Sequence, residues 1–320
     1  MNISRRRFGA HVTAAAAGTA LAACGAEGAT SPATPSPRPA VLLVHGAWLG
    51  AWCYASLVRH LEEQGIQAFT VDLPGHALEA RFPESFLVRP LDAAAFRTEA
   101  SPLRAFGLAD YVDAILSEVS RLGSLGVGPI TLVGHSMAGI PISVAAERAP
   151  DKIAKLVYLS AFLPVTAAPA LAYLGLPENQ GSQTGALLMA DPAQVGALRL
   201  DTRSDDLGYR AALRSMFCAD LDEGSFRAVA HLMQPDDPVA PFGTPTGATA
   251  EGWGRVPRAY IGCTDDNVIP PALQKRFVSE ADSLAPGTRT EFVAFASSHT
   301  PFFSKPGELA AVIAARVARS

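Results

Sequence analysis

Charge, cysteine and ligand motifs are what this chain has little of. Only 18% of its 320 residues are charged, the formal net charge is −4, and no basic stripe runs along any segment. A nucleic-acid surface needs clustered Lys and Arg against phosphates, so that class of partner is excluded. Four cysteines stand far apart, at 24, 53, 218 and 263, and neither C-x-x-C nor H-E-x-x-H occurs. No metal centre is implied. There is no G-x-x-x-x-G-K-[ST] phosphate loop, so neither nucleotide nor any other cofactor is expected. No internal repeat is visible. No apolar run is long enough, and free enough of polar residues, for a membrane-spanning helix. What is abundant is hydrophobic content, at 49%, ample for one large core.

The first 23 residues are set apart as an export leader. Ser4-Arg5-Arg6-Arg7-Phe8 is a twin-arginine signal, followed by an alanine-rich run. Leu21-Ala22-Ala23-Cys24 is the pattern of bacterial lipoprotein processing, with Cys24 as the lipidated residue; a plain signal peptide cleaved at the same alanines is the alternative. Residues 24–39, rich in Ala, Gly, Thr, Ser and Pro, read as a flexible tether. The expected location is the extracytoplasmic side of a bacterial membrane, held there through Cys24. Twin-arginine export implies folding before translocation and no reliance on disulfides. Cys53, Cys218 and Cys263 sit among apolar residues and read as buried free thiols, with one disulfide as the alternative. Nothing in the sequence sets the oligomeric state.

Beyond residue 40, strand and helix patterns alternate. Strand-like runs at 41–44, 66–71, 130–133 and 154–160 are separated by helical runs at 53–64, 108–122 and 141–148. That alternation predicts an α/β fold with a mostly parallel sheet and helices on both faces. Ligands of such sheets bind outside the carboxyl ends of the strands. Two stretches interrupt the pattern. Residues 78–107 are longer than a βα loop needs and form either a flap or a solvated excursion. Residues 164–254 hold helix-like pieces at 194–200, 209–218 and 225–233 and no convincing core strand. They read as a lid inserted into a core formed by 40–163 and 255–320. Leu171, Tyr173, Leu174, Leu187, Leu188, Met189, Met216, Phe217, Leu232 and Met233 either line a pocket there or only pack the lid down.

The most informative stretch is GHSMAG at 134–139, between a β-branched run and a helix. A serine on a sharp strand-to-helix turn is a nucleophile elbow. Small residues at 134, 138 and 139 let the turn be strained and the helix begin close to the strand. The usual fifth residue is glycine and here is Ala138, a departure of one methyl group. An elbow serine needs a base and an oxyanion hole. In this arrangement the carboxylate and then the histidine follow in the chain. Asp265 and Asp266, past the run at 258–263, compete for the first role, and the spacing of Asp266 to Ile269-Pro270 favours it. Six histidines have plain explanations. His11 lies in the leader, His60 on a surface helix, His76 in a loop, His231 in the lid. His45 braces the first loop and His135 packs beside the sheet. His299, in a loop past the last strand, has the right order and the right sheet edge. The expected oxyanion donors are the backbone N–H groups of Ala47, after His45-Gly46, and of Met137.

Together with the elbow, VLLVHGAWLGAWCY at 41–54, DLPGH at 72–76, YIGCTDDNVIP at 260–270 and SSHTPFFSKPGEL at 297–309 resemble one branch of the α/β-hydrolase superfamily. That branch holds plant methylesterases, hydroxynitrile lyases and small bacterial carboxylesterases. The carboxyl-terminal third is most similar to pyrethroid-hydrolysing carboxylesterases. The resemblance covers roughly residues 40–320 and implies an α/β-hydrolase fold with a helical lid and a triad of Ser136, Asp266 and His299. It implies a serine carboxylesterase for small to medium apolar esters, working without cofactor or metal. A ligand-binding protein on the same fold, or an amidase, lactonase or acyltransferase with the same triad, is the alternative. The lyases of this branch carry a threonine after the first-loop histidine and a lysine after the catalytic one. Here those positions are Gly46 and Thr300, which speaks against cyanohydrin cleavage.

Overall fold

The computed structural model describes residues 38–317. The expected leader, Cys24 and all but the last two residues of the expected tether lie outside the described residues. Eight strands follow in order: β1 (Ala40–Val44), β2 (Gln67–Val71), β3 (Ile130–His135), β4 (Lys155–Leu159), β5 (Ala197–Arg199), β6 (Asp236–Pro238), β7 (Arg258–Cys263) and β8 (Glu291–Phe295). Six of them form one sheet in the order β2-β1-β3-β4-β7-β8, with every pair parallel. β1 reads AVLLV and every residue in it is fully buried. Successive side chains point to opposite faces of a strand, so both faces of the sheet are covered there. The edge strands β2 and β8 are half-buried and partly exposed, as edges are.

Seven longer helices are used below: α1 (Ala55–Glu63), α2 (Leu108–Ser124), α3 (Gly139–Arg148), α4 (Leu207–Cys218), α5 (Glu223–Leu232), α6 (Pro271–Leu284) and α7 (Pro306–Ala314). α1 packs on α7, and α2 on α3. Their apolar stripes explain this: Leu57 and Leu61 in α1, and Tyr111, Val112, Ile115 and Val119 in α2, all face the core. α3 starts two residues before the expected 141. Pro141 is its third residue, where the N–H has no helical partner and a proline costs no bond.

Register sets the working edge. Val44 of β1 lies opposite Gly134 of β3, His135 opposite Leu159 of β4, and Cys263 of β7 opposite Phe295 of β8. The loops after these strands therefore emerge side by side.

The interrupted regions differ from the sequence reading in one respect. The helix-like piece at 194–200 is a short helix, Pro192–Val195, that stops at Gly196 (φ 79°) and continues as strand β5. Glycine takes the left-handed conformation without Cβ strain, and so ends the helix. β5 pairs antiparallel with β6 in a two-stranded sheet, with Leu198 opposite Asp237 and Arg199 opposite Asp236. Arg199 and Asp236 form a fully buried bidentate pair with both contacts at 2.7 Å. Arg199 also donates to the carbonyls of Phe96 and Glu99. The stretch 78–107 is thus a folded excursion tied to the β5–β6 pair, with a short helix Ala93–Thr98 capped by Asp92. Among the described residues no helix is long and apolar enough to cross a membrane. Cys53, Cys218 and Cys263 are buried free thiols, and burial raises each thiol's pKa.

Candidate active site

β3 ends in His135, and Ser136 turns out of it at φ 54°. A non-glycine residue there costs of order 1–3 kcal/mol and persists only where its surroundings hold it. The surroundings are tight. A Cβ on Gly139 would meet the Phe162 carbonyl at 2.0 Å, and one on Gly46 would meet the Ser136 Cβ at 2.8 Å. Side chains at either position would push the elbow apart. The Ser136 carbonyl accepts from the Phe162 N–H at 3.0 Å, which pins the turn to the chain after β4.

Ser136 Oγ donates to His299 Nε2 at 2.9 Å, and His299 Nδ1–H donates to Asp266 Oδ2 at 2.8 Å. The structure thus joins three residues from the loops after β3, β7 and β8. Asp265, the rival carboxylate, is exposed and accepts only from the Thr264 hydroxyl at 3.1 Å. Asp266 is buried because its loop turns back on it. Its Oδ1 accepts the N–H groups of Val268 and Ile269 at 2.7 and 2.8 Å.

Two supports of that carboxylate carry no sequence signature. Ser160, one residue past β4 and at φ 41°, donates to Asp266 Oδ2. Gln274, from the first turn of α6, donates to the Cys263 and Ile269 carbonyls at 3.0 and 2.7 Å and stitches the acid loop shut. Only their position at the same sheet edge could have marked them.

The two bracing histidines do different work. His135 Nε2–H donates to the His299 carbonyl at 2.9 Å, with the rings 4.6 Å apart. His45 Nε2 accepts from the Leu73 N–H at 3.0 Å and ties the first loop to the DLPGH turn. Burial, and the neighbouring His76, lower the His45 pKa from 6.5 to about 3. Burial, and the nearby His299, lower that of His135 well below 6.5. Both rings are held neutral.

Beside Ser136 opens a cavity of about 300 Å³, reached by Ala47, Trp48, Phe162, Phe242 and Val268. From the inserted stretch 164–254, which also supplies Phe242, Leu174 and Leu188 reach it, and Asn179, Gln180 and Ser182 give it a polar side. Of the other apolar lid residues named from the sequence, Tyr173, Leu187, Met216, Phe217 and Met233 are buried in the core instead. Leu232 faces solvent. Met137, the residue after the elbow serine, is the second residue of a helical turn at Ser136–Ala138, where N–H groups lack intrahelical partners. Among the described residues, no group of three or more His, Cys, Asp or Glu is placed to hold a metal ion.

A strained serine at a strand-to-helix turn, on the carboxyl edge of a parallel sheet, defines an α/β-hydrolase. A model of the alpha/beta hydrolase family matches residues 41–312, and the chain belongs to that family. It is similar to a pyrethroid hydrolase of Sphingobium wenxiniae, 28% identical over 86% of each chain. It is similar also to methylesterase 9 of Arabidopsis thaliana, 26% identical over 84% of this chain and 94% of that one. Among solved structures, a pyrethroid hydrolase from Sphingobium faniae superposes with a TM-score of 0.67 at 26% identity, covering 87% of this chain and 96% of that one. Polyneuridine aldehyde esterase, 20% identical with a TM-score of 0.59, shares the fold. Within its family the chain is a carboxylic ester hydrolase.

Proposed function

We propose that the chain is a serine carboxylesterase that works through an acyl-enzyme on small to medium apolar esters. The observation that carries this is the hydrogen-bond chain Asp266–His299–Ser136 opening on the cavity. Ser136 Oγ attacks the ester carbonyl carbon and gives its proton to His299 Nε2. Asp266 holds the imidazole in the tautomer that leaves Nε2 free and stabilises the imidazolium. The N–H groups of Ala47 and Met137 hold the oxyanion. Collapse breaks the ester C–O bond, and His299 gives the proton to the leaving alcohol. Water, deprotonated by His299, then releases the acid and restores Ser136.

A cavity of about 300 Å³ is at the small end for ligand sites. Its mixed lining suits an ester with one apolar and one more polar end. The test is a panel of p-nitrophenyl esters of rising acyl length, run beside methyl aryl esters and a pyrethroid, since the relatives are named for such esters. Alcohol release, and covalent capture of an organophosphonate at Ser136, are expected. A folded protein that takes neither is a ligand binder on this fold. Labelling at another serine would sink the assignment.

Export and anchoring belong to the same proposal. The twin-arginine run and Cys24 support a diacylglyceryl anchor on the extracytoplasmic side of a bacterial membrane. Two acyl chains suffice for stable attachment. Cys24→Ala should leave the membrane fraction, or stay unprocessed, and Arg5→Lys with Arg6→Lys should hold the esterase inside the cell. A Cys24→Ala protein that is processed and still partitions with membranes as the parent does would refute the anchor.

A further inference from the structure

The oxyanion loop is not held by its own strand. Trp48, the residue after Ala47, sits at φ 61°, a conformation that a bulky side chain avoids. It is buried, and every hydrogen-bonding group it has is taken by the stretch 164–254. Its N–H donates to Asp237 Oδ2 at 3.0 Å, its indole N–H donates to the Leu198 carbonyl at 2.9 Å, and its carbonyl accepts from the Gln234 N–H at 3.1 Å. Leu198 and Asp237 face each other in the β5–β6 pair, so two of these grips come from one rung of it. The next rung is the buried Arg199–Asp236 pair, which ties β5 and β6 to the stretch 78–107. Asp237 is steadied in turn by His76, whose Nε2–H donates to the same Oδ2 at 2.8 Å.

We infer that Asp237 is a positioning residue of the oxyanion hole: through Trp48 it fixes the strained peptide that aims the Ala47 N–H. The inference rests on the esterase reading given above. A strained residue keeps its conformation only where its surroundings over-determine it. Here those surroundings belong to the stretch 164–254, so that stretch is a working part of the catalytic centre besides a wall of the cavity. Asp237 touches no substrate. The oxyanion exists only after attack, so loss of the grip weakens transition-state binding and leaves ground-state binding alone.

The test is steady-state kinetics on the best p-nitrophenyl ester with three full-length variants. Asp237→Ala removes the acceptor, and kcat should fall about 10²-fold, the usual effect of a small misplacement, with KM within about twofold. Asp237→Asn can keep an oxygen in the Oδ2 position and should restore kcat to within about threefold of the parent. Trp48→Phe removes the indole bond together with some cavity lining, and also guards against an Asp237→Ala protein that fails to fold. For it the readout is the affinity ratio of an aryl trifluoromethyl ketone, which forms an oxyanion adduct, to the matching methyl ketone, which fills the same cavity. That ratio should fall about tenfold. An unchanged kcat in Asp237→Ala, a loss confined to KM, an equal loss in Asp237→Asn, or an unchanged ratio in Trp48→Phe overturns the inference. If the parent protein releases no alcohol and takes no phosphonate, the esterase reading fails first and this inference falls with it.

Discussion

Among the described residues two histidine–carboxylate pairs lie buried, and their geometry is nearly the same. His299 with Asp266 and His76 with Asp237 both close at 2.8 Å, with all four side chains sealed from solvent. What separates them is the second ring nitrogen. That of His299 faces the Ser136 hydroxyl at 2.9 Å, a group that has a proton to give. That of His76 faces the Pro74 carbonyl at 3.2 Å, which has none. The first pair can therefore cycle as a base, while the second can only hold. A buried pair is no catalytic signature by itself; its third partner and the space beside that partner make it one.

The sharpest way to break this contrast is to remove the third partner. Ser136→Ala should lower kcat about 10⁶-fold, as loss of a triad serine does, with the fold intact by circular dichroism. Residual turnover within about tenfold of the parent would mean that His299 serves some other nucleophile.

The next test sets the carboxylates against each other. Asp266→Asn offers His299 the wrong tautomer and should cost about 10⁴ in kcat. Asp265→Asn, at an exposed position, should cost little, as should Asp237→Asn, where a neutral oxygen can still accept. Equal losses at 266 and 237 would erase the distinction between a cycling and a holding pair. A larger loss at 265 would show that the neighbour is the working acid.

The same contrast explains what could be seen in the sequence. Ser136 was legible because a nucleophile elbow is local: glycine, serine and small residues between a strand and a helix. His299 and Asp266 were legible because loops after consecutive strands of a parallel sheet must emerge on one edge in chain order. The sheet itself was legible from fully buried runs such as 41–44. The clamp on Trp48 was not. His76 and Asp237 lie 161 positions apart, one in a loop and one in the stretch 164–254, and no spacing rule connects them. Asp236 and Asp237 show their role only once Arg199 and His76 are found against them. Strand β5 was hidden for a related reason: three residues are too few for a period-2 pattern, and the short helix before it supplied a helical one.

A third buried pair tests how far the stretch 164–254 depends on charge. Arg199→Met would leave Asp236 buried without a counterion, at a cost of about 3–5 kcal/mol in stability. Arg199→Met with Asp236→Leu should recover most of it, because two apolar groups of similar size need no desolvation. Urea unfolding of both variants separates these outcomes. A double variant as weak as the single one would show that the Arg199 bonds to the Phe96 and Glu99 carbonyls, not the ion pair, hold the β5–β6 pair.

The smallest effect concerns the histidines that have no carboxylate. In His45, Nδ1–H donates to the Gly46 carbonyl at 2.9 Å while Nε2 accepts from Leu73, so the neutral ring satisfies both neighbours. A proton on Nε2 would break the second bond and put a charge in a fully buried site beside His76. The pKa is lowered from 6.5 to about 3 for that reason. The sign follows directly. Between those values the unfolded chain carries the proton and the folded one does not, so stability is complete above pH 6.5 and declines as pH falls toward 3. One such group contributes about 1.4 kcal/mol per pH unit to that slope. His135, shifted in the same direction, adds a second group to the acid limb. Unfolding free energy followed from pH 7 to pH 4 should therefore decline with falling pH, and His45→Gln should flatten the decline by one proton whatever it does to stability at pH 7. An undiminished slope in that variant would mean that His45 takes up its proton in the folded state as readily as in the unfolded one. The first loop would then have to give way on acidification, and the Ala47 N–H beside it would lose its aim.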